Sequence, residues 1–166
     1  MDSVQQIVKY ILEYGTIFIF FIVYMEYCNL PALPGGVIFP AIGVFIAQSG
    51  YSMIYILMVT VLAGLLGSIT LYYVGYFVGT PLIAWLIKKF PKITTSINKV
   101  KFYSERFGGK GVFICRLLPV VRTIVSLISG TLKEDIVEFT VYSSLGITIW
   151  NFGLILLGYL TTKAIL

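Results

Sequence analysis

Two arginines lie inside an otherwise apolar segment of this chain, on either side of a proline. Arg116 and Arg122 flank Pro119 within residues 111–130, which hold no other charged residue. A charge at membrane depth costs roughly 3 to 15 kcal/mol, and a proline interrupts the hydrogen bonding of a helix. Broken backbone is tolerated in a bilayer only where protein or a water-filled cavity covers it. The segment therefore predicts a re-entrant element that binds an anion.

The composition indicates a membrane protein. Of the 166 residues, 58% are hydrophobic and 11% are charged, against about 25% charged residues in a typical soluble domain. The mean hydropathy is +0.96. We expect an all-α protein with one membrane domain, 1–166. Histidine is absent, which argues against histidine-based hydrolysis and zinc chemistry, so we expect no enzymatic activity, no cofactor and no metal.

Apolar runs and helix breakers divide the chain into segments. A bilayer span needs about 20 apolar residues, and two segments meet that length. Two others are shorter and interrupted by proline or glycine, so we interpret them as re-entrant hairpins. The predicted order is an N-terminal helix (3–27), re-entrant hairpin 1 (26–50), a transmembrane helix (51–79), a basic interfacial connector (81–110), re-entrant hairpin 2 (111–130) and a second transmembrane helix (136–163).

This order contains the same unit twice, a hairpin followed by one span. Because each unit crosses the membrane once, the second copy is expected to be inverted relative to the first. Inverted repeats with broken helices are typical of transporters, whose sites lie near the bilayer midplane.

Basic residues are concentrated in the connector. Seven of the twelve lysines and arginines fall between Lys88 and Lys110, with Glu105 as the one acid. The positive-inside rule places 81–110 in the cytoplasm, and we expect a multi-pass protein of the bacterial cytoplasmic membrane. No aromatic and basic recognition pattern accompanies the charge, so nucleic-acid binding is not expected.

Arg116 and Arg122 are the candidate ligands for a lipid phosphate, because guanidinium groups bind phosphate in a bidentate geometry and stay charged when buried. A helix restarting after Pro119 would offer backbone N–H groups to the same anion. The alternative is structural: the arginines reach a headgroup layer or pair with Glu26. Glu26 itself is either a proton carrier or such a counter-charge.

The remaining candidates have supporting roles. Asn151, in the middle of the second span, either hydrogen-bonds one of the charged groups or packs helices together. The other residues shape the turns of the two hairpins: Pro31, Pro34 and Gly35 in the first, and Pro119 and Gly130 in the second.

At these positions the sequence resembles the DedA family, which shares the VTT (SNARE-associated) domain. The resemblance covers about residues 20 to 160. It rests on Glu26 with Pro31, Pro34 and Gly35; on Phe113 followed by Arg116, Pro119 and Arg122; and on Ser126, Gly130, Gly146, Trp150 and Asn151.

The resemblance implies two opposed re-entrant hairpins and transport of a phosphate-bearing lipid, of the phosphatidylethanolamine type or undecaprenyl phosphate. Some members are proton-coupled, but this chain has Gly36 and Ser68 where many members carry acids. The main hypothesis is therefore a lipid flippase whose partners are membrane lipids. The alternatives are a proton-coupled transporter of a small solute or ion, and a non-transporting membrane assembly protein. A homo-oligomer is compatible with each.

Overall fold

The structure, a computed structural model, describes residues 3–29, 35–91, 93–119 and 121–165. Over these residues the chain is helical and contains no strand, so the all-α prediction is confirmed. The helices are α1 (Ser3–Tyr27), α2 (Gly35–Ser49), α3 (Met53–Lys89), α4 (Ile93–Phe107), α5 (Gly109–Arg116), α6 (Val125–Thr131) and α7 (Ile136–Ile165).

Among the described helices, α3 and α7 are long and apolar enough to cross a membrane. Each exposes large apolar side chains at every fourth position, which places them on one face of the helix. A soluble protein rarely exposes such continuous apolar surface, so these faces suit lipid. The residues are Ile54, Met58, Leu62 and Leu66 on α3, and Val137, Val141, Leu145 and Ile149 on α7.

Two of the long helices are broken at a glycine. Gly15 in α1 has φ 67° and ψ −153°, and Gly79 in α3 has φ 46° and ψ −125°. These angles strain residues that carry a Cβ but not glycine. The segment predicted as one helix over 3–27 is thus two helical pieces. Gly79 ends the first piece of α3 and begins the second, which runs into the basic connector.

The two segments predicted as hairpins have the following bounds. In the first, Glu26 lies in the last turn of α1, and α2 continues through Pro40 as one helix to Ser49. In the second, α5 ends at Arg116 and α6 begins at Val125, with turns between them. Whether either segment re-enters the bilayer stays a prediction.

The chain forms two compact units, and α3 and α7 each contribute to both. The first unit comprises Met1–Gly67 and Thr148–Leu166. In it, α2 crosses α7 at very close range. A Cβ placed on Gly43 would meet the backbone of Ile155 and Tyr159, and one placed on Gly158 would meet the Pro40 carbonyl. Glycine at these positions lets the two backbones touch.

The second unit comprises Ser68–Ile147. In it, α6 crosses α3 with the same kind of reciprocal contact. A Cβ on Gly130 would meet the backbone of Tyr72 and Tyr76, and one on Gly75 would meet the Leu127 carbonyl. Gly130 therefore lies inside α6 and serves helix packing, whereas the sequence suggested a role in shaping the turn.

In the second unit, a side chain caps the start of α7, and the helix of the connector buries one face. Asp135 Oδ1 accepts hydrogen bonds of 2.9 Å from the N–H groups of Val137 and Glu138, which is an N-cap. Helix α4 buries Ser96, Ile97 and Val100 and leaves its lysines exposed. The connector thus contains the last part of α3 and the amphipathic helix α4.

Candidate functional site

Arg116 is the last residue of α5 and its side chain is buried, with 3% of its surface exposed. The absence of a side chain at Gly146 makes room for it, since a Cβ there would collide with the Arg116 stem. The guanidinium carbon lies 5.7 Å from the centre of the Phe139 ring, within the range of a cation–π interaction. The fold therefore sets the position of this charge through α7 as well as through α5.

Two serine hydroxyls orient the Arg116 guanidinium. Its Nη2 donates to Ser126 Oγ at 2.9 Å and to Ser143 Oγ at 3.1 Å. Ser126 lies on α6 and Ser143 on α7, and both are buried. A hydroxyl that accepts from arginine keeps its own O–H proton. The arrangement therefore offers two O–H donors next to a fixed guanidinium.

Arg122 lies in the turn between α5 and α6, and its side chain is 7% exposed. Both predicted phosphate ligands are thus buried in the second unit, Arg116 at the end of α5 and Arg122 in the turn that follows. Pro119, between them, is exposed. The backbone N–H of Arg122 donates to the Leu118 carbonyl at 2.9 Å, and that of Val125 donates to the Val121 carbonyl at 3.1 Å.

These backbone bonds are internal to the turn. The N–H groups of Val121, Arg122, Ile124 and Val125 donate to carbonyls of the turn, as an apolar environment demands. Whether the first turn of α6, which begins at Val125, presents N–H groups to an anion stays a prediction.

Glu26 belongs to the first unit and is 8% exposed. Its carboxylate lies against Gly35, where a Cβ would collide with Oε1. Gly35 is the first residue of α2, so the carboxylate sits at the positive end of that helix. Gly35 is needed at this position because it leaves space for the carboxylate.

Asn151 also belongs to the first unit and is fully buried in α7. Its Oδ1 accepts a hydrogen bond of 2.8 Å from the Tyr27 hydroxyl. The Tyr27 ring rests on Gly64 of α3, where a Cβ would come within 2.8 Å of it. This hydrogen bond connects α7 to the end of α1. Its α1 partner, Tyr27, follows Glu26 directly in the sequence. Pro31 and Pro34 lie outside the described residues.

Ser143 and Tyr27 did not emerge from the sequence as site residues. Ser143 lies on a face of α7 where every fourth residue is buried. Along that face, Ser143, Ile147, Asn151 and Ile155 are all fully buried. Ser143 could have been identified as a polar residue eight positions before Asn151, on the same face of the helix. Tyr27 could not, because it resembles the interfacial tyrosines common in membrane proteins.

The chain is similar to one family model and to several bacterial proteins. The VTT domain model matches residues 33–160. Undecaprenyl phosphate transporter A of Staphylococcus aureus is 30% identical over 93% of this chain and 77% of its own length. An alkaline phosphatase-like protein of Lactococcus lactis is 25% identical over 92% of this chain and 73% of its own length. Membrane protein YbfM of Bacillus subtilis is 25% identical, with 95% of each chain covered.

No solved structure matches the chain. The domain match covers most of the sequence, including both arginines, Gly35 and Asn151. The chain therefore belongs to the VTT domain family of membrane proteins, to which the resemblance to DedA proteins had pointed.

Proposed function

We propose that this protein moves a phosphate-bearing lipid between the leaflets of the bacterial cytoplasmic membrane. The lipid is a phosphatidylethanolamine-type phospholipid or undecaprenyl phosphate. The observation that carries the proposal is the buried Arg116 guanidinium, held by Ser126 and Ser143 within a helical membrane protein. The relative from Staphylococcus aureus, described as an undecaprenyl phosphate transporter, supports the same substrate class.

Arg116 and Arg122 would bind the headgroup phosphate while the acyl chains stay in the bilayer. Guanidinium N–H groups make charge-assisted hydrogen bonds to phosphate oxygens, which are roughly twice as strong as neutral ones. The O–H groups of Ser126 and Ser143 would donate to the same phosphate, since each already accepts from Arg116. A positioned donor set lowers the cost of removing a phosphate from water.

We propose further that the two hairpin segments are re-entrant and form an inverted repeat, with 81–110 on the cytoplasmic side. The support is the reciprocal glycine crossing present in each unit. Gly43 and Gly158 make it in the first unit, and Gly130 and Gly75 make it in the second. Two units with the same crossing are expected of a duplicated fold, and repeated units are the common plan of transporters.

The test is translocation of a labelled lipid in reconstituted vesicles. We expect Arg116→Ala and Arg122→Ala each to slow translocation at least about tenfold, since hydrogen bonds to a charged group contribute about 1.5–3 kcal/mol. Arg106→Ala is the matched control, because Arg106 is an exposed arginine of α4 that stacks on Phe102 and Phe107. Wild-type rates in both site variants would refute the proposal.

Two further measurements separate the rivals. Arg116→Lys keeps the charge but loses the planar guanidinium that binds a phosphate in a bidentate geometry, so full activity in this variant would favour an assembly protein in which only charge balance matters. Release of inorganic phosphate from the lipid would indicate a phosphatase, the activity named for the Lactococcus lactis relative. We expect translocation without phosphate release.

A proton-coupled transporter of a small solute or ion is the second candidate, and the buried Glu26 carboxylate favours it. In that case transport would follow an imposed pH gradient and Glu26→Gln would uncouple it. If Glu26 is instead a fixed counter-charge, Glu26→Gln would lower stability without making transport insensitive to the gradient.

A further inference from the structure

A pocket in the first unit lies where α2 ends, α3 begins and α7 ends. Its volume is about 340 Å³, and its walls include Ile46, Leu156, Tyr51, Tyr159 and Lys163. Because α3 and α7 are the candidate spans, the start of one and the end of the other mark a boundary between lipid and water. The pocket is thus expected at the membrane surface.

The polar groups of this pocket are donors. Lys163 and Tyr159 lie one turn apart on α7 and share a face, and Tyr51 is in the connection between α2 and α3. None of the described residues that line the pocket is acidic. Within the described part of the chain, Lys163 forms no ion pair, and the hydroxyls of Tyr51 and Tyr159 form no hydrogen bond. The pocket therefore presents one positive charge and two O–H donors.

The apolar residues of the pocket include Leu156 of α7 and Ile46 of α2. On α7, Leu156 lies about one turn before Tyr159, and Tyr159 about one turn before Lys163. From Lys163 inward, the pocket thus changes from a cation to phenols to aliphatic carbon. Lysine and tyrosine are common anchors at any membrane surface, but an anchor needs no cavity, whereas a ligand does.

We propose that this pocket binds the phosphate headgroup of an anionic phospholipid. Lys163 would neutralise the phosphate charge, Tyr51 and Tyr159 would donate hydrogen bonds, and the start of an acyl chain would lie on Leu156 and Ile46. The volume is near the lower end of that found for small-molecule sites, roughly 300–1,000 Å³. The pocket therefore accommodates a headgroup while the rest of the lipid's acyl chains remains in the bilayer. Neither Arg116 nor Arg122 takes part, so the site goes beyond the proposed transport function.

Native mass spectrometry of the full chain in detergent, titrated with phosphatidylglycerol, tests the proposal. We expect Lys163→Gln to weaken binding of the tightest lipid about fivefold, the effect of one lysine near an anionic headgroup. Tyr159→Phe, which removes one hydroxyl from an otherwise unchanged ring, is expected to weaken it about threefold. Lys99→Gln, at an exposed lysine of α4, is the matched control and should bind as the wild type does.

The outcomes are decisive in both directions. Wild-type affinity in both Lys163→Gln and Tyr159→Phe would overturn the proposal. Displacement of the lipid by inorganic phosphate at equal concentration would also overturn it, because it would show a site for a soluble anion. If Lys163→Gln does not fold, Tyr159→Phe decides alone. Arg116→Ala is expected to keep this binding, so failure of the transport proposal would be seen separately.

Discussion

The Arg116 guanidinium donates a hydrogen bond of 3.1 Å to the Ser143 hydroxyl, which joins the end of α5 to the first half of α7. The neighbouring residue, Ser144, points its hydroxyl back to the Val141 carbonyl of its own helix at 2.7 Å. The two adjacent serines therefore make different contacts. Ser143 accepts a hydrogen bond from the buried Arg116, and Ser144 donates to a carbonyl of its own helix.

We expect Ser143→Ala to slow lipid translocation about tenfold or more, because Arg116 loses one of its two hydroxyl acceptors and a hydrogen bond to a charged group contributes about 1.5–3 kcal/mol. Ser143→Thr keeps the hydroxyl and should retain most of the rate. Ser144→Ala is the control and should leave it unchanged. The measurement is the initial rate of labelled-lipid translocation at equal amounts of folded protein. Equal rates in the two alanine variants would show that Ser143 does not position Arg116.

The close crossing of α2 and α7 gives a prediction on stability. Gly158→Ala would place a Cβ against the Pro40 carbonyl, and backbone cannot move aside as a side chain can. We expect a loss of about 1–3 kcal/mol in the free energy of unfolding. Gly153, on the same helix, has nothing within 4 Å of its Cβ position, so Gly153→Ala is expected to raise stability by about 0.5–1 kcal/mol.

Thermal unfolding in detergent, followed by tryptophan fluorescence, compares these two variants directly. The expected signs are opposite, and both substitutions add the same methyl group to the same helix. A similar shift in both would mean that α2 and α7 are not packed backbone to backbone at Gly158.

The sequence predicted those features that the bilayer itself imposes. Helices long enough to cross, and a basic amphipathic connector, follow from hydropathy and charge alone. The arginine pair was found because charge inside an apolar segment is rare. Contacts between helices were not predictable in the same way, since they depend on which faces meet. Ser143 as an Arg116 partner and Gly130 as a packing residue required the crossing of α6, α7 and α3 to be known.

The break at Gly15 was missed for a different reason. The apolar pattern continues across it, and glycine within a helix is tolerated at a cost of only about 1 kcal/mol. Pattern alone does not distinguish a helical glycine from one with φ 67°. Pro31 and Pro34, by contrast, were assigned to a turn on firm local grounds, and they stay predictions because they lie outside the described residues.

The hydrogen bond between Tyr27 and Asn151 gives a third prediction. A double-mutant cycle with Tyr27→Phe and Asn151→Leu isolates the pair, because each change removes one partner and keeps most of the volume. We expect a coupling energy of about 0.6–1.5 kcal/mol in the free energy of unfolding, the range for buried hydrogen bonds between membrane helices. Additive effects of the two substitutions would contradict a structural bond between α1 and α7 at this point.

Gly35 and Gly36, neighbours in the first turn of α2, provide a test of how Glu26 is accommodated. A Cβ at Gly35 would collide with the Glu26 carboxylate, whereas one at Gly36 meets no atom of the described residues within 4 Å. We expect Gly35→Ala to lower the unfolding free energy by about 1–2 kcal/mol, because it moves a carboxylate from the positive end of a helix. Gly36→Ala should be neutral or slightly stabilising, and thermal unfolding in detergent compares the two.

A shorter acid at position 26 distinguishes this collision from a general intolerance of α2 to alanine. Glu26→Asp withdraws the carboxylate by one methylene, so it should make Gly35→Ala less harmful in the double variant than in the wild-type background. The expected result is a recovery of at least about half the lost stability, since close neighbours of this kind couple by about 0.5–3 kcal/mol. If Gly35→Ala costs the same with either acid, or no more than Gly36→Ala, the carboxylate does not occupy the space beside Gly35, and its placement at the start of α2 is wrong.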